Sequence, residues 1–336
     1  MIKIDYVCRM KLKFLALLSI CSLFACDNDL DLTDDYKDIP VVYAIMNMPS
    51  SEQFIRIEKG FIDETTSALQ IATNPDSLYY MEAVVSIKDN QSGTVFPFEM
   101  VDGAEFGLPR DPGIFASDPN YLYKSESNFQ PQPGQEYTLQ IQRPGLDTLV
   151  TATTVMVGIP NIVRPSQSGA ASLDFAYNQN TTLKWNGDGN SGLYDIAFNI
   201  NYRERNIIEG GAFENKSVRW TVRSNFDDET MELQGLQFYG AISNLLDEDP
   251  DVVRKLSNLD MIVAVGGLEV KEYVRIGQAN SGLTSSQDIP VFTNLSEGRG
   301  LFSSRQEAIN PSIQLTNKTL DSLRNGIFTK NLGFIE

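Results

Sequence analysis

One thiol in this chain sits in a context that would make it react. Cys26 ends the run Leu23-Phe24-Ala25-Cys26, after an apolar stretch from Phe14 to Ala25 that follows Lys11 and Lys13. Basic residues, a short apolar core and a small residue before a cysteine form a lipoprotein signal, whose thiol accepts lipid. The stretch is twelve residues long. A bilayer span takes about 20 apolar residues, so this length suits the core of a secretory signal instead. Leu23 and Ala25 fit that chemistry, and Phe24 is bulkier than usual at its place. Met10 opens a more ordinary signal, MKLKFLALLSICSLFAC. Cleavage before Cys26 would remove Cys8 and Cys21 and leave no pair of thiols for a disulfide. Acyl chains on Cys26, palmitate among them, would anchor the protein stably, since each buried methylene adds about 0.8 kcal/mol.

The other chemistry is bounded by what is missing. The chain has no histidine. That removes Ser-His-Asp and Cys-His catalysis, histidine-ligated zinc and iron, and the usual neutral-pH general base. No G-x-S-x-G elbow, phosphate loop or G-x-G-x-x-G stands in the sequence. An enzyme built from this chain would rely on carboxylates, as glycoside hydrolases do, and nothing marks any pair of them as catalytic. The expectation is no enzyme, no cofactor and no metal.

Charge narrows the partners. The formal net charge is −17. Without residues 1–25 the chain keeps 23 basic and 43 acidic side chains, a net of −20. Such a surface repels phosphate backbones, so nucleic acid is not an expected partner. The acids begin directly after Cys26, with Asp27, Asp29, Asp31, Asp34, Asp35 and Asp38. This run reads as a solvated flexible tether over 26–39. The Asp27-x-Asp29-x-Asp31 spacing hints at a calcium loop, but Leu32 stands where such a loop needs glycine.

The elements that must position any site are mostly strands, short and set apart by Gly, Pro, Asn, Asp and Ser. Strands are expected over Val41–Met46, around Ile55 and Ile57, and over Ala83–Ile87 and Thr94–Phe98. Pro97 argues for an edge position. Pro133-Gly134 opens a further strand in which Tyr137, Leu139 and Ile141 alternate with polar residues. Pro144-Gly145 then turns into Leu149–Val155. Gly158-Ile159-Pro160 is the best boundary, giving an N-terminal β domain over 40–157 and a C-terminal one over 158–336.

In the second half, strands are expected near Ala171–Tyr177 and Thr181–Trp185. The clearest alternation follows. Tyr194, Ile196, Phe198, Ile200 and Tyr202 share one face, and Val218, Trp220 and Val222 repeat it with Arg219, Thr221 and Arg223 opposite. A helical insertion is expected near 236–256, restarting at Asp249-Pro250. Strands should return at Met261–Val265, Glu272–Ile276 and Leu332–Ile335, with a short helix over Thr319–Arg324 closed by Gly326. The fold class is mainly β: two β-sandwich-like domains of immunoglobulin or fibronectin type, with the short helical insertion in the second.

Near the C-terminus stands Ile289-Pro290-Val291-Phe292-Thr293-Asn294-Leu295-Ser296-Glu297-Gly298-Arg299-Gly300-Leu301-Phe302. Its Asn-x-x-x-Gly-x-Gly-x-Phe pattern resembles the ending of Bacteroidota lipoproteins grouped as domain of unknown function 4249. The lipid signal, the Pro-Gly-x-x-Tyr-x-Leu-x-Ile unit at 133–141 and the late helix are similar too, over most of residues 40–336. The acidic run after Cys26 also resembles the signal that sends such lipoproteins to the cell surface. The resemblance implies an outer-membrane location, surface exposure and an accessory role beside a TonB-dependent transporter. It brings no catalytic residue. In physical terms Gly298 and Gly300 would supply positive φ or close packing, and Phe302 would plug the core. Asp76-Ser77-Leu78, Asp147-Thr148-Leu149 and Asp321-Ser322-Leu323 resemble O-glycosylation sites of that group, which makes Ser77, Thr148 and Ser322 candidate acceptors.

The function expected is a lipid-anchored, non-enzymatic surface lipoprotein, binding a transporter or its glycan or peptide ligand. Tyr79, Tyr80, Tyr121 and Tyr123 could stack on sugars, against a packing role in a hairpin. A surface adhesin or structural envelope component is the alternative, and a carboxylate-dependent glycoside hydrolase stands third.

Overall fold

The computed structural model describes residues 39–48, 50–60, 71–167, 172–280 and 291–336. The expected signal, Cys26 and the acidic run up to Asp38 lie outside them. The chain is mainly β. The first half holds β1 (Ile39–Asn47), β2 (Phe54–Gly60), β3 (Val84–Asp89), β4 (Val95–Asp102), β5 (Tyr121–Ser125), β6 (Glu136–Gln142) and β7 (Leu149–Val155). After a connector come β8 (Asn161–Arg164), β9 (Ser172–Leu173), β10 (Asn180–Asn186), β11 (Ser191–Asn206), β12 (Glu214–Phe226), β13 (Thr230–Gln234), β14 (Val252–Gly267) and β15 (Arg299–Leu315). Among the described residues the helices longer than one turn are α1 (Gly235–Leu245), α2 (Leu268–Asn280) and α3 (Asn317–Asn325).

One mixed sheet runs through both halves in the order β12-β11-β14-β15-β1-β2-β5-β4-β3-β6-β7. Its spine is β15. From Arg299 to Arg305 this strand runs parallel to β1, and from Arg305 to Ile313 it runs antiparallel to β14. The sheet therefore does not break at Gly158–Pro160, where the sequence suggested the end of one sandwich and the start of another. The reason is topological. A strand of seventeen residues is long enough to pair with a different neighbour at each end.

Two apolar clusters form on the inner side of this sheet. The first gathers Val42, Ile57, Ile87, Leu139, Ile141, Val150 and Phe129, and it takes Leu295 and Phe302 from the C-terminal segment. The second gathers Trp185, Phe198, Ile200, Phe238, Met261 and Val263, with the three-stranded sheet β13-β10-β8 as its opposing layer. The alternation Tyr194, Ile196, Phe198, Ile200 and Tyr202 is buried as expected, and Val218, Trp220 and Val222 pack half-buried against the same cluster. Between the clusters, Ser304 ties down the connector: its hydroxyl donates to Val155 O at 3.0 Å and accepts from Val157 N at 2.9 Å.

Several local expectations change. The helix restart at Asp249-Pro250 is replaced by β14, because Val252–Gly267 pairs along nearly all of β11. Glu272–Ile276 lies within α2 rather than a strand. Its charges Glu272 and Arg275 meet at i,i+3, 3.7 Å apart, and the helix packs across the outward side of β11, β14 and β15. Of the expected strand Ala171–Tyr177, Ala171 lies outside the described residues, and among 172–177 only Ser172 and Leu173 join a strand, beside β15. Leu332–Ile335 forms a single bridge, Phe334 with Arg254, because Gly333 turns the chain at φ 71°. Pro97 lies in an interior strand, but where β4 faces only β3: pairing with β5 starts one residue later, at Phe98.

Candidate functional site

The Asn-x-x-x-Gly-x-Gly-x-Phe segment is the most heavily bonded feature that the sequence singled out. The Asn294 amide donates to Phe302 O at 2.7 Å and accepts from Phe302 N at 2.9 Å. One side chain thus makes the two-bond exchange of an antiparallel strand pair. Next to it, Leu295 bridges Ala152 of β7, Ser296 N donates to Thr151 O at 2.7 Å, and Thr151 N donates to the Ser296 hydroxyl at 2.9 Å. Thr293 bridges Gly300. Residues 293–296 therefore stand between the free edge of β7 and β15, and they close the first half of the sheet on itself.

The glycines are needed there. Gly298 and Gly300 have φ of 104° and 115°, and a Cβ on either would collide with main-chain oxygen, of Pro40 and Val42 respectively. Phe302 is fully buried in the first cluster. Glu297 reaches the buried Arg143 guanidinium at 2.8 Å. Every distinctive residue of the segment is engaged in holding the sheet closed, and the structural role expected of Gly298, Gly300 and Phe302 is the one they have.

The candidate stacking tyrosines are packing residues. Tyr79, Tyr80 and Tyr123 are buried, and Tyr121 is half-buried with its ring edge-on to Tyr79 at 5.3 Å. Tyr123 donates to Tyr80 O at 2.7 Å, and burial pushes its phenol up to about 12. These rings offer no open platform for a sugar. The three candidate acceptors differ in access. Thr148 is exposed, in the turn between β6 and β7. Ser77 is half-buried in a single helical turn, Pro75–Leu78. Ser322 is half-buried in α3, with its hydroxyl turned to Tyr239.

The carboxylates are arranged for bonding. Among the described residues no group of three or more acidic, cysteine or histidine side chains is placed to hold a metal ion. Burial works against ionisation of Glu204, but hydrogen bonds and charge from Lys216 and Arg254 outweigh it and hold the carboxyl below its usual range. Asp89 is likewise desolvated yet lowered, by the Ser92 hydroxyl and the amides of Gln91 and Ser92. Both shifts run opposite to what a general acid needs.

Tertiary structure also assembles a feature that sequence reading left scattered: a cationic outward face on β11, β12 and β14. Arg203 faces Lys255 of β14 and Asn215 of β12 across the sheet, and Arg219 is paired with Asn199. The Phe213 ring, in the loop before β12, lies 4.8 Å from the Arg205 guanidinium, 5.8 Å from Arg203 and 5.6 Å from the Lys255 ammonium. Such cation–π contacts are worth about 0.5–1 kcal/mol each at exposed sites. The available signal was five basic residues between Arg203 and Arg223 in a strongly acidic chain.

No protein-family model matches this chain, and no curated protein matches it in sequence.

Proposed function

We propose that this protein is a lipid-anchored, non-enzymatic lipoprotein of the outer membrane, exposed at the cell surface, that works as a binding or accessory module for a TonB-dependent transporter or its ligand. The observation that carries the reading is Cys26 behind its apolar run, followed at once by six aspartates. The resemblance of the 294–302 segment to Bacteroidota lipoproteins supports the same reading. So does the geometry around it: the distinctive residues there are engaged in main-chain bonds and core packing. We take the two clusters as two sandwich-like modules, about 40–157 and 158–336, that share β15, with α1 as the helical insertion of the second.

The test is direct. Cys26→Ser should release the protein from membranes and abolish incorporation of labelled palmitate; a variant that stays membrane-bound refutes the anchor. Cross-linking of the acylated protein on whole cells should capture an outer-membrane β-barrel. A deletion strain that loses attachment but keeps nutrient uptake would favour the adhesin reading instead.

A further inference from the structure

The two ends of the large sheet are treated differently. At one end, β7 is met by residues 293–296, as described above. At the other end stands β12, which pairs with β11 on one side and, among the described residues, with nothing on the other. β12 is thirteen residues long and contains neither proline nor glycine. From Glu214 to Thr221 it holds eight consecutive pairs with β11 before the register shifts. A long, regular, uncovered edge offers a row of unpaired N–H and C=O groups to another strand.

The side chains along this edge specify what would fit. On the inner side Val218, Trp220 and Val222 remain half-buried, although they pack on the second cluster. Trp220 stacks on Phe198 with ring centres 5.9 Å apart, yet its far side has no strand beyond it. Phe238 of α1 also approaches Trp220, at 6.1 Å, and the indole still stays half-buried. On the outward side Arg219, opposite Asn199, is exposed and makes no ion pair among the described residues; Arg223, beyond the register shift, stands opposite the buried Ile196 and near the Phe226 ring instead. Arg203 on the neighbouring strand adds to the same field.

We infer that β12 is a docking edge for an extended partner segment that alternates apolar and acidic residues and adds to the sheet as a further strand. Its apolar residues would cover Val218, Trp220 and Val222. A carboxylate between those apolar residues would lie over Arg219. Charge argues against a second copy of this chain as the occupant: self-pairing through β12 would bring the arginines of one strand against those of the other. This inference names the surface for the binding role proposed above and rests on it.

The test uses the full-length chain in detergent and a synthetic ten-residue peptide alternating valine and glutamate. The chain has two tryptophans; Trp185 is fully buried and Trp220 half-buried. Peptide docking should therefore shift the tryptophan emission to the blue through Trp220. The surface variant Arg219→Glu should weaken peptide binding at least tenfold and leave the thermal transition in place. A valine–lysine peptide, and one with its valines and glutamates in separate blocks, should bind at least tenfold more weakly. The inference is overturned if the alternating peptide causes no shift, if the charge-reversed variant binds it equally, or if the chain forms a dimer that the peptide competes away. Membrane release of Cys26→Ser is read separately, so the anchor and the docking edge fail independently.

Discussion

Asn294 and Phe302 stand eight residues apart in sequence, and the Asn294 amide holds both main-chain polar groups of Phe302. The pair locks the chain where it turns from the β7 edge into β15. Through β15 the same lock reaches the second half of the sheet. A short motif near the C-terminus thereby closes structure built by residues far earlier in the chain.

Asn294→Ala would leave the Phe302 N–H and C=O bare beside the core. Two lost bonds to partly buried groups predict a destabilisation of about 2 kcal/mol. Chemical denaturation measures it. A midpoint unchanged from the parent protein would mean that water replaces the amide without cost.

Gly300 and Gly145 both have positive φ, 115° and 73°, but their surroundings differ. Alanine at Gly145 meets nothing within 4 Å, so it should cost about 1 kcal/mol of backbone strain. Alanine at Gly300 adds collision with Val42 O and should cost well over that, to the point of poor recovery of folded protein. Equal melting temperatures for the two variants would contradict the close-approach argument.

Glu204 ties Lys216 of β12 and the buried Arg254 of β14 to β11. Its folded pKa is lowered, so the stability it contributes is present above its unfolded pKa and is lost as pH falls through the folded value. Glu204→Gln should cost about 3 kcal/mol at pH 7, because Arg254 is left without its carboxylate. The difference from the parent protein should shrink in acid, as the parent carboxyl protonates. A constant difference from pH 7 down to pH 3 would show that charge is not what holds these strands.

Of the three candidate glycosylation sites, Thr148 is the accessible one. Intact mass of protein from its native host should drop by the mass of a glycan on Thr148→Ala, and only by the substituted atoms on Ser322→Ala. A mass equal to polypeptide plus lipid in the parent protein ends the proposal for all three.

Much of the β framework was legible because alternation states which side chains face inward. The Tyr194–Tyr202 face is buried as its period of two requires, and the turns at Gly134 and Gly145 have the positive φ that Pro-Gly pairs suggest. Short-range signals failed where a neighbour decided. Val252–Leu256 became strand because β11 offered it a partner along its length, and Glu272–Ile276 became helix on the outward sheet face despite its β-branched residues. The tyrosines at 79, 80, 121 and 123 looked like loop residues, and their burial depends on chain segments that local composition does not mention.

Taken alone, the amino-acid sequence determined the chemistry open to this protein: no imidazole, a strongly acidic composition, alternating strands, and a cysteine directly behind a short apolar run. Those properties belong to residue types and near neighbours. Only the tertiary structure decided that β15 serves two cores, that Asn294 closes one edge of the sheet, and that β12, among the described residues, pairs on one side only. Those facts depend on which distant strands pair, and strand pairing is set by the fit of whole faces across the sheet, beyond the reach of any local pattern.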